Sequence, residues 1–253
     1  MKKIIIANWK IYLDRKSSLS LLSKIKFPGL RSKVFDLVVC PSFTVLSDVQ
    51  KAIAHMSLAI SLGAQDCFWA ERGAYTGEIS PADLKDLGVK YVIIGHSERR
   101  AYLKETDEMI NLKLKAVLAT GLAPIFCVGE TTEERESGGA EAAVLSQIQK
   151  GLAGLKVKNS QKILIAYEPV WAIGTGKSCE PKDAVKMHQF IKKEIAQMLD
   201  KEEVPMLYGG SVDEKNVLSY LEESAIDGVL VGGASVKPEI FSALLKKVAT
   251  LKV

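Results

Sequence analysis

The chain has few of the residues on which metal, disulfide or redox chemistry is built. Its four cysteines (Cys40, Cys67, Cys127, Cys179) are widely spaced with no CxxC pair, and its only histidines are His55, His96 and His188. That set offers neither a zinc-type ligand cluster nor a disulfide framework. No apolar run approaches the ~18 residues of a membrane span. The first, Ile4-Ile5-Ile6-Ala7, stops at Asn8-Trp9-Lys10, too soon for a signal-peptide core. Charge of one sign is scarce as well. A net +4 over 253 residues, with lysines scattered over expected helix faces, points to a solvated surface and away from a nucleic-acid patch. A mildly positive field still suits an anionic substrate. No Pro/Ser-rich tract, charge block or low-complexity segment reads as a linker. The expectation is a soluble, reduced, cytoplasmic protein of one domain over residues 1–253.

Short apolar, β-branched runs recur along the chain: Lys3–Ala7, Phe35–Cys40, Leu58–Ala64, Tyr91–Gly95, Ala123–Val128, Ile163–Tyr167, Pro205–Tyr208 and Gly228–Val231. Several are apolar almost throughout, as parallel strands covered on both faces should be. Between them, Ser47–Met56, Thr106–Thr120, Ala140–Ala153, Pro181–Leu199 and Pro238–Ala249 carry apolar residues at helical spacing. Pro181 and Pro238 suit first helical turns, and Gly121 and Gly154 suit helix ends. Eight alternating units predict an α/β fold, a closed (β/α)8 TIM barrel, with an open doubly wound sheet as the alternative. A barrel puts its chemistry at the C-terminal ends of the strands.

The polar clusters do follow the strands. Lys10 comes three residues after the first, with Asn8 to orient it and Trp9 to shield it; an ordinary surface lysine is the plain alternative. His96 ends the fourth, where N–H groups of a following turn can hydrogen-bond the ring and leave a neutral imidazole to donate to a substrate carbonyl. Glu168 ends the sixth in the run Ala166-Tyr167-Glu168-Pro169-Val170-Trp171-Ala172-Ile173-Gly174-Thr175-Gly176-Lys177. A carboxylate on a rigid edge beside a glycine loop is what proton abstraction needs, and Tyr167 and Trp171 are expected to give it an apolar setting. Gly176-Lys177-Ser178 is not a P-loop tail, because Trp171 stands where the first glycine belongs. The dinucleotide fingerprint counted from Gly174 fails at Cys179. Gly209-Gly210-Ser211 and Gly232-Gly233 follow the last two strands, and Ala234–Val236 can begin a short extra helix. That is the common phosphate site of this architecture. The long loop from Gln65 to Ile79 carries Phe68, Trp69 and Tyr75, whose exposure would favour association with a second chain.

These motifs together resemble the triosephosphate isomerase family. They are Asn8-Trp9-Lys10, Tyr75-Thr76-Gly77-Glu78-Ile79-Ser80, Gly95-His96-Ser97-Glu98-Arg99-Arg100, Cys127-Val128-Gly129-Glu130, the 166–177 run, Tyr208-Gly209-Gly210-Ser211-Val212 and the 227–235 segment. The likeness runs through the whole chain in order. It implies interconversion of dihydroxyacetone phosphate and D-glyceraldehyde 3-phosphate through an enediolate, without cofactor or metal, in glycolysis and gluconeogenesis. Carried over, Glu168 is the base, His96 the electrophile (this family is the standard illustration of a neutral histidine in that part) and Lys10 the positive charge. Asn8 sets the surroundings of Lys10. Gly174, Ser211, Gly232 and Gly233 bind the phosphate, and Val170–Cys179 forms the lid. The 65–80 loop implies a homodimer in which Thr76 reaches the neighbour's site, and Glu78 and Glu98 join a supporting network with Arg99. No nucleic acid or membrane partner is implied. Two departures stand out: Ser178-Cys179 at the far lid hinge Lys177-Ser178-Cys179, where the family more often has Thr or Val and then Ala, and Lys192 where it usually has arginine facing Asp227. A barrel aldolase using Lys10 as a Schiff base and a dimeric binding scaffold are the competing readings.

Overall fold

The structure is a computed structural model and describes residues 2–25, 34–157, 162–172, 179–199 and 204–252. The strands are β1 (Lys3–Asn8), β2 (Phe35–Cys40), β3 (Ile60–Ala64), β4 (Val89–Ile94), β5 (Ala123–Val128), β6 (Leu164–Tyr167), β7 (Met206–Tyr208) and β8 (Gly228–Val231). The helices are α1 (Arg15–Lys24), α2 (Leu46–His55), α3 (Pro81–Asp86), α4 (Ser97–Leu103), α5 (Asp107–Ala119), α6 (Thr132–Glu136), α7 (Ala140–Gly151), α8 (Pro181–Leu199), α9 (Val217–Leu221) and α10 (Pro238–Val248). Every strand pairs in parallel with its sequence neighbour, and β1 also pairs with β8, so the sheet closes. The eight expected strands are all present, and closure excludes the open sheet.

Alternation along each strand divides the core in two. Ile6, Val38, Cys40, Ile93, Ile125, Cys127, Ala166, Leu207 and Leu230 point into the barrel. Their neighbours, such as Ile5, Ala7, Val39, Val92, Ile94 and Ile165, pack outward against the helices. Both faces are therefore apolar, which is why the strands read as continuous hydrophobic runs. A fully buried Val, Ile or Leu contributes roughly 1.5–3 kcal/mol.

Helices α1, α3, α4, α6 and α9 have no counterpart among the expected ones. Each is short, and four begin at a side-chain cap instead of depending on a long apolar stripe. Asp14 accepts the Ser17 N–H at 2.7 Å, and Ser80 accepts that of Ala82 at 3.1 Å. Thr131 and Glu134 bond each other's backbone N–H reciprocally. The fourth cap is His96. At the other end, Gly121 and Gly154 adopt φ of +80° and +66° after their helices. Gly95, expected to finish β4, leaves the strand with φ +74°.

Candidate active site

A cavity of about 700 Å³ opens at the C-terminal ends of the strands. Its walls include Asn8 at the end of β1 and Lys10 after it, His96 and Glu98 after β4, Glu168 after β6, Gly209, Gly210 and Ser211 after β7, and Gly232 and Gly233 after β8. The fold thus collects nearly every candidate residue into one place. Gly174 lies outside the described residues, as do Lys177 and Ser178 of the far lid hinge. Thr76 is exposed and lies outside this wall.

Glu168 is 1% exposed. Its backbone sits against Gly129, where a Cβ would come within 1.7 Å of the Glu168 carbonyl oxygen. Its side chain sits against Gly209, whose Cβ would lie 2.9 Å from Cγ. Two glycines at the ends of β5 and β7 make the space it occupies. One carboxylate oxygen, Oε2, accepts the Ser97 N–H at 2.8 Å. The other, Oε1, lies 3.1 Å from His96 Nε2 but off the direction of the ring N–H, and it has no hydrogen-bond donor. A buried carboxylate oxygen in that state is a ready proton acceptor. Beneath it lies Cys127, whose thiol is held well above its ordinary range by burial and then by the Glu168 charge. Beside Glu168 it stays a neutral SH.

Tyr167 and Trp171 do not form the setting expected for Glu168. Both donate to Glu130 Oε1, at 3.0 and 2.7 Å, where Arg135 also donates at 3.2 Å. The Arg135 guanidinium carbon lies 4.2 Å from the centre of the Trp171 ring. A strand residue's neighbour points to the opposite face, so the tyrosine before Glu168 faces the helix layer, its ring 5.9 Å edge-on from His188 of α8. These contacts anchor the turn 170–172 that follows Glu168. Ser211 Oγ donates to the Ala172 carbonyl at 3.0 Å, and Tyr220 donates to the Cys179 carbonyl at 2.6 Å.

His96 caps α4: its Nδ1 accepts the Glu98 N–H at 3.2 Å. An accepting Nδ1 carries no proton, so the network assigns the ring's hydrogen to Nε2, on the cavity side. Lys10 is held in left-handed backbone, φ +50°. Asn8 Oδ1 accepts its N–H at 3.1 Å. Gln65 donates to its carbonyl at 2.8 Å and to that of Cys40 at 3.0 Å. A non-glycine residue persists at such φ only when its surroundings over-determine it. The ammonium is paired with Glu98.

The supporting network differs from the expected one. Glu98 pairs with Lys10, Glu78 is exposed, and Arg99 turns to Asp66 at 2.8 Å and Glu105 at 3.2 Å. Lys113, almost fully buried, completes it with both oxygens of Asp66 and with Glu105. Burial pushes the Asp66 carboxyl up to about 6 against the opposing pull of Lys113 and Arg99. Sequence reading missed Glu105 and Lys113 and gave Asp66 and Glu130 no role of their own, since their partners are mostly remote in the chain.

The 65–80 loop also departs from expectation. Phe68 is buried, stacked on Trp69 at 4.0 Å and tilted against Tyr75 at 4.6 Å. Tyr75 is 47% exposed, and Ile11, Tyr12, Tyr102 and Leu103 are 60–90% exposed.

The model of the triosephosphate isomerase family matches residues 3–248. The triosephosphate isomerase of Dictyoglomus thermophilum is 48% identical over 248 residues, covering 97% of this chain and 99% of that protein. That of Carboxydothermus hydrogenoformans is 47% identical over 248 residues, 97% and 98% of the two chains. That of Geobacter metallireducens is 45% identical over 245 residues, 96% and 97%.

Proposed function

The chain belongs to the triosephosphate isomerase family, and we infer from that premise that it interconverts dihydroxyacetone phosphate and D-glyceraldehyde 3-phosphate. The observation that carries the assignment of parts is the free Oε1 of a buried Glu168 beside the Nε2 of His96.

In this reading Glu168 takes a proton from the carbon next to the substrate carbonyl, and the bond's electrons move onto the carbonyl oxygen. Nε2–H of His96 and the ammonium of Lys10 stabilise the enediolate oxygen. This neutral-imidazole arrangement is the one for which the family itself serves as standard illustration, and the roles lean on it. The hydroxyl proton passes from the one oxygen to the other, and Glu168 returns its proton to the former carbonyl carbon. One carbon is oxidised as its neighbour is reduced by the same electron pair, so no outside oxidant or reductant is needed. Asn8 acts through the backbone of Lys10.

The phosphate is assigned to the β7–β8 end of the cavity. There Gly232 and Gly233 lead into a 3-10 turn, Gly233–Val236, whose first N–H groups have no partner within the turn. The Ser211 hydroxyl is committed to Ala172, which leaves its backbone N–H as the group offered. Gly174 is assigned to the phosphate on the family likeness alone. An enediolate phosphate eliminates phosphate in water, so the segment 170–179 is assigned the solvent-excluding lid, a device for which this family is again a usual example.

A second copy of the chain is proposed to cover Ile11, Tyr12, Tyr75, Tyr102 and Leu103, with Thr76 directed to the partner's site. Among the described residues no helix is long and apolar enough to cross a membrane, and a single-domain, cytoplasmic enzyme of glycolysis and gluconeogenesis is the proposed setting. A coupled assay of triose phosphate isomerisation tests the reading. Turnover supports it. A Lys10 adduct trapped by borohydride with substrate, in place of isomerisation, supports the aldolase alternative.

A further inference from the structure

We propose that Arg100 is a positioning residue that sets the spacing between His96 and Glu168; the inference rests on the isomerase reading above. The last pair of the β4–β5 ladder is Ile94 opposite Phe126. His96 lies beyond it on one side. On the other lies Val128, whose carbonyl accepts the Glu168 N–H at 2.8 Å. Arg100 spans this gap from α4. Its Nε donates to the Gly95 carbonyl at 2.9 Å, and its Nη2 donates to the Cys127 carbonyl at 3.3 Å. The first carbonyl belongs to the peptide bond that carries His96, and the second to the one that carries Val128. Nη1 is fixed in turn by Asp107 at the start of α5, at 2.6 Å.

Gly95 supports the arrangement. Its φ of +74° belongs to glycine, and a Cβ there would lie 2.9 Å from Ile110 Cδ1 and 3.3 Å from Arg100 Nη2. One planar guanidinium thus does beyond the ladder what backbone pairing does within it. An ammonium cannot hold the three acceptors in that plane. Among the described residues the hydrogen bonds and ion pair of Arg100 involve neither the β7 nor the β8 loop, so its loss should reach the proton transfer and spare the phosphate.

The test compares wild type with Arg100→Gln and Arg100→Lys in the coupled assay, per mole of folded protein. Inhibition by inorganic phosphate and the ring 15N spectrum of His96 are measured alongside. Expected is a kcat about 10- to 100-fold lower, a phosphate inhibition constant within about twofold of wild type, and a His96 spectrum shifted from the wild-type pattern. Millimolar guanidinium ion added to Arg100→Gly should restore part of the activity. A folded Arg100→Gln with wild-type kcat overturns the proposal. So does a kcat loss that leaves the His96 spectrum unmoved or that is matched by equal weakening of phosphate. If Arg100→Gln does not fold, Arg100→Lys decides by the same readouts. Wild type devoid of isomerase activity would refute the function instead, and the His96 spectra would still judge Arg100.

Discussion

The mouth of the barrel is built in two ways. The sector after β1, β4 and β6 is made of charged and polar side chains, each held by others: Lys10 by Asn8, Gln65 and Glu98, His96 by the start of α4, Glu168 by Ser97. The sector after β7 and β8 brings four glycines to the cavity wall, with Asp213, Asn216 and Lys237 beside them and one hydroxyl already turned to Ala172. The difference follows from the tasks proposed. Proton transfer needs a donor and an acceptor fixed to fractions of an ångström, and side chains hold such positions only when braced. An anion is met by several N–H groups at once, and glycine lets backbone come close.

Removing the base is the largest test of that division. Glu168→Ala should lower kcat by about 10²- to 10⁴-fold while inorganic phosphate inhibits as before. Isomerase activity near wild type would show that the base has been misassigned. Next come two glycines that follow β7 and β8, one whose added Cβ would press on Glu168 and one whose Cβ would meet open space. At Gly209 an added Cβ meets Glu168 Cγ at 2.9 Å and the Tyr167 carbonyl at 3.2 Å, so Gly209→Ala should cut kcat by roughly 10-fold or more. A Cβ on Gly233 meets nothing within 4 Å, so Gly233→Ala should keep stability and kcat and raise KM for the phosphorylated substrate. Equal effects on kcat from both would dissolve the distinction between the space around Glu168 and the space assigned to the phosphate.

A third prediction concerns stability outside both sectors. Burial lowers His188 to about 4, opposed by its hydrogen bond to the Ala225 carbonyl, with Lys192 and Asp227 as the charges that face it. The folded protein therefore holds this ring neutral where the unfolded chain, titrating near 6.5, protonates. The stability from keeping it neutral is full above about 6.5 and is lost as pH falls toward 4, roughly 3 kcal/mol in all. His188→Asn, keeping an amide donor for Ala225, should flatten acid unfolding over that range; an unchanged pH dependence would remove His188 as its source. The smallest effect is expected at Lys192, 3.3 Å from Asp227 and part-exposed. Lys192→Arg can grip the carboxylate with two donors and should add at most about 1 kcal/mol in thermal melts, leaving kcat alone.

Strands were legible because burial on both faces writes itself as unbroken apolar runs. Long helices such as α8 were legible because one buried stripe recurs at helical spacing. Helix α4 was not, since Ser-Glu-Arg-Arg-Ala-Tyr-Leu has no such stripe. It starts on the His96 ring and is tied down by Arg99 and Arg100. The candidate residues were legible as polar interruptions after strands, but their neighbours were not. Tyr167 and Trp171 stand beside Glu168 in sequence and serve Glu130. Phe68 looked like surface and is core.

By itself the sequence determined the eight alternating strand–helix units and which polar groups end the strands, while the pairing of β1 with β8 chose the closed barrel over the open sheet. The units and their polar ends follow from local rules: the two-residue alternation of a strand, the spacing of a helix stripe, the turn chemistry of glycine. Tertiary structure alone decided which groups meet. Lys10 and Glu98 stand 88 residues apart, and Glu168 and Ser97 stand 71 apart. Each pairing depends on closing the sheet from β8 back to β1, and on the side of its strand to which a residue points.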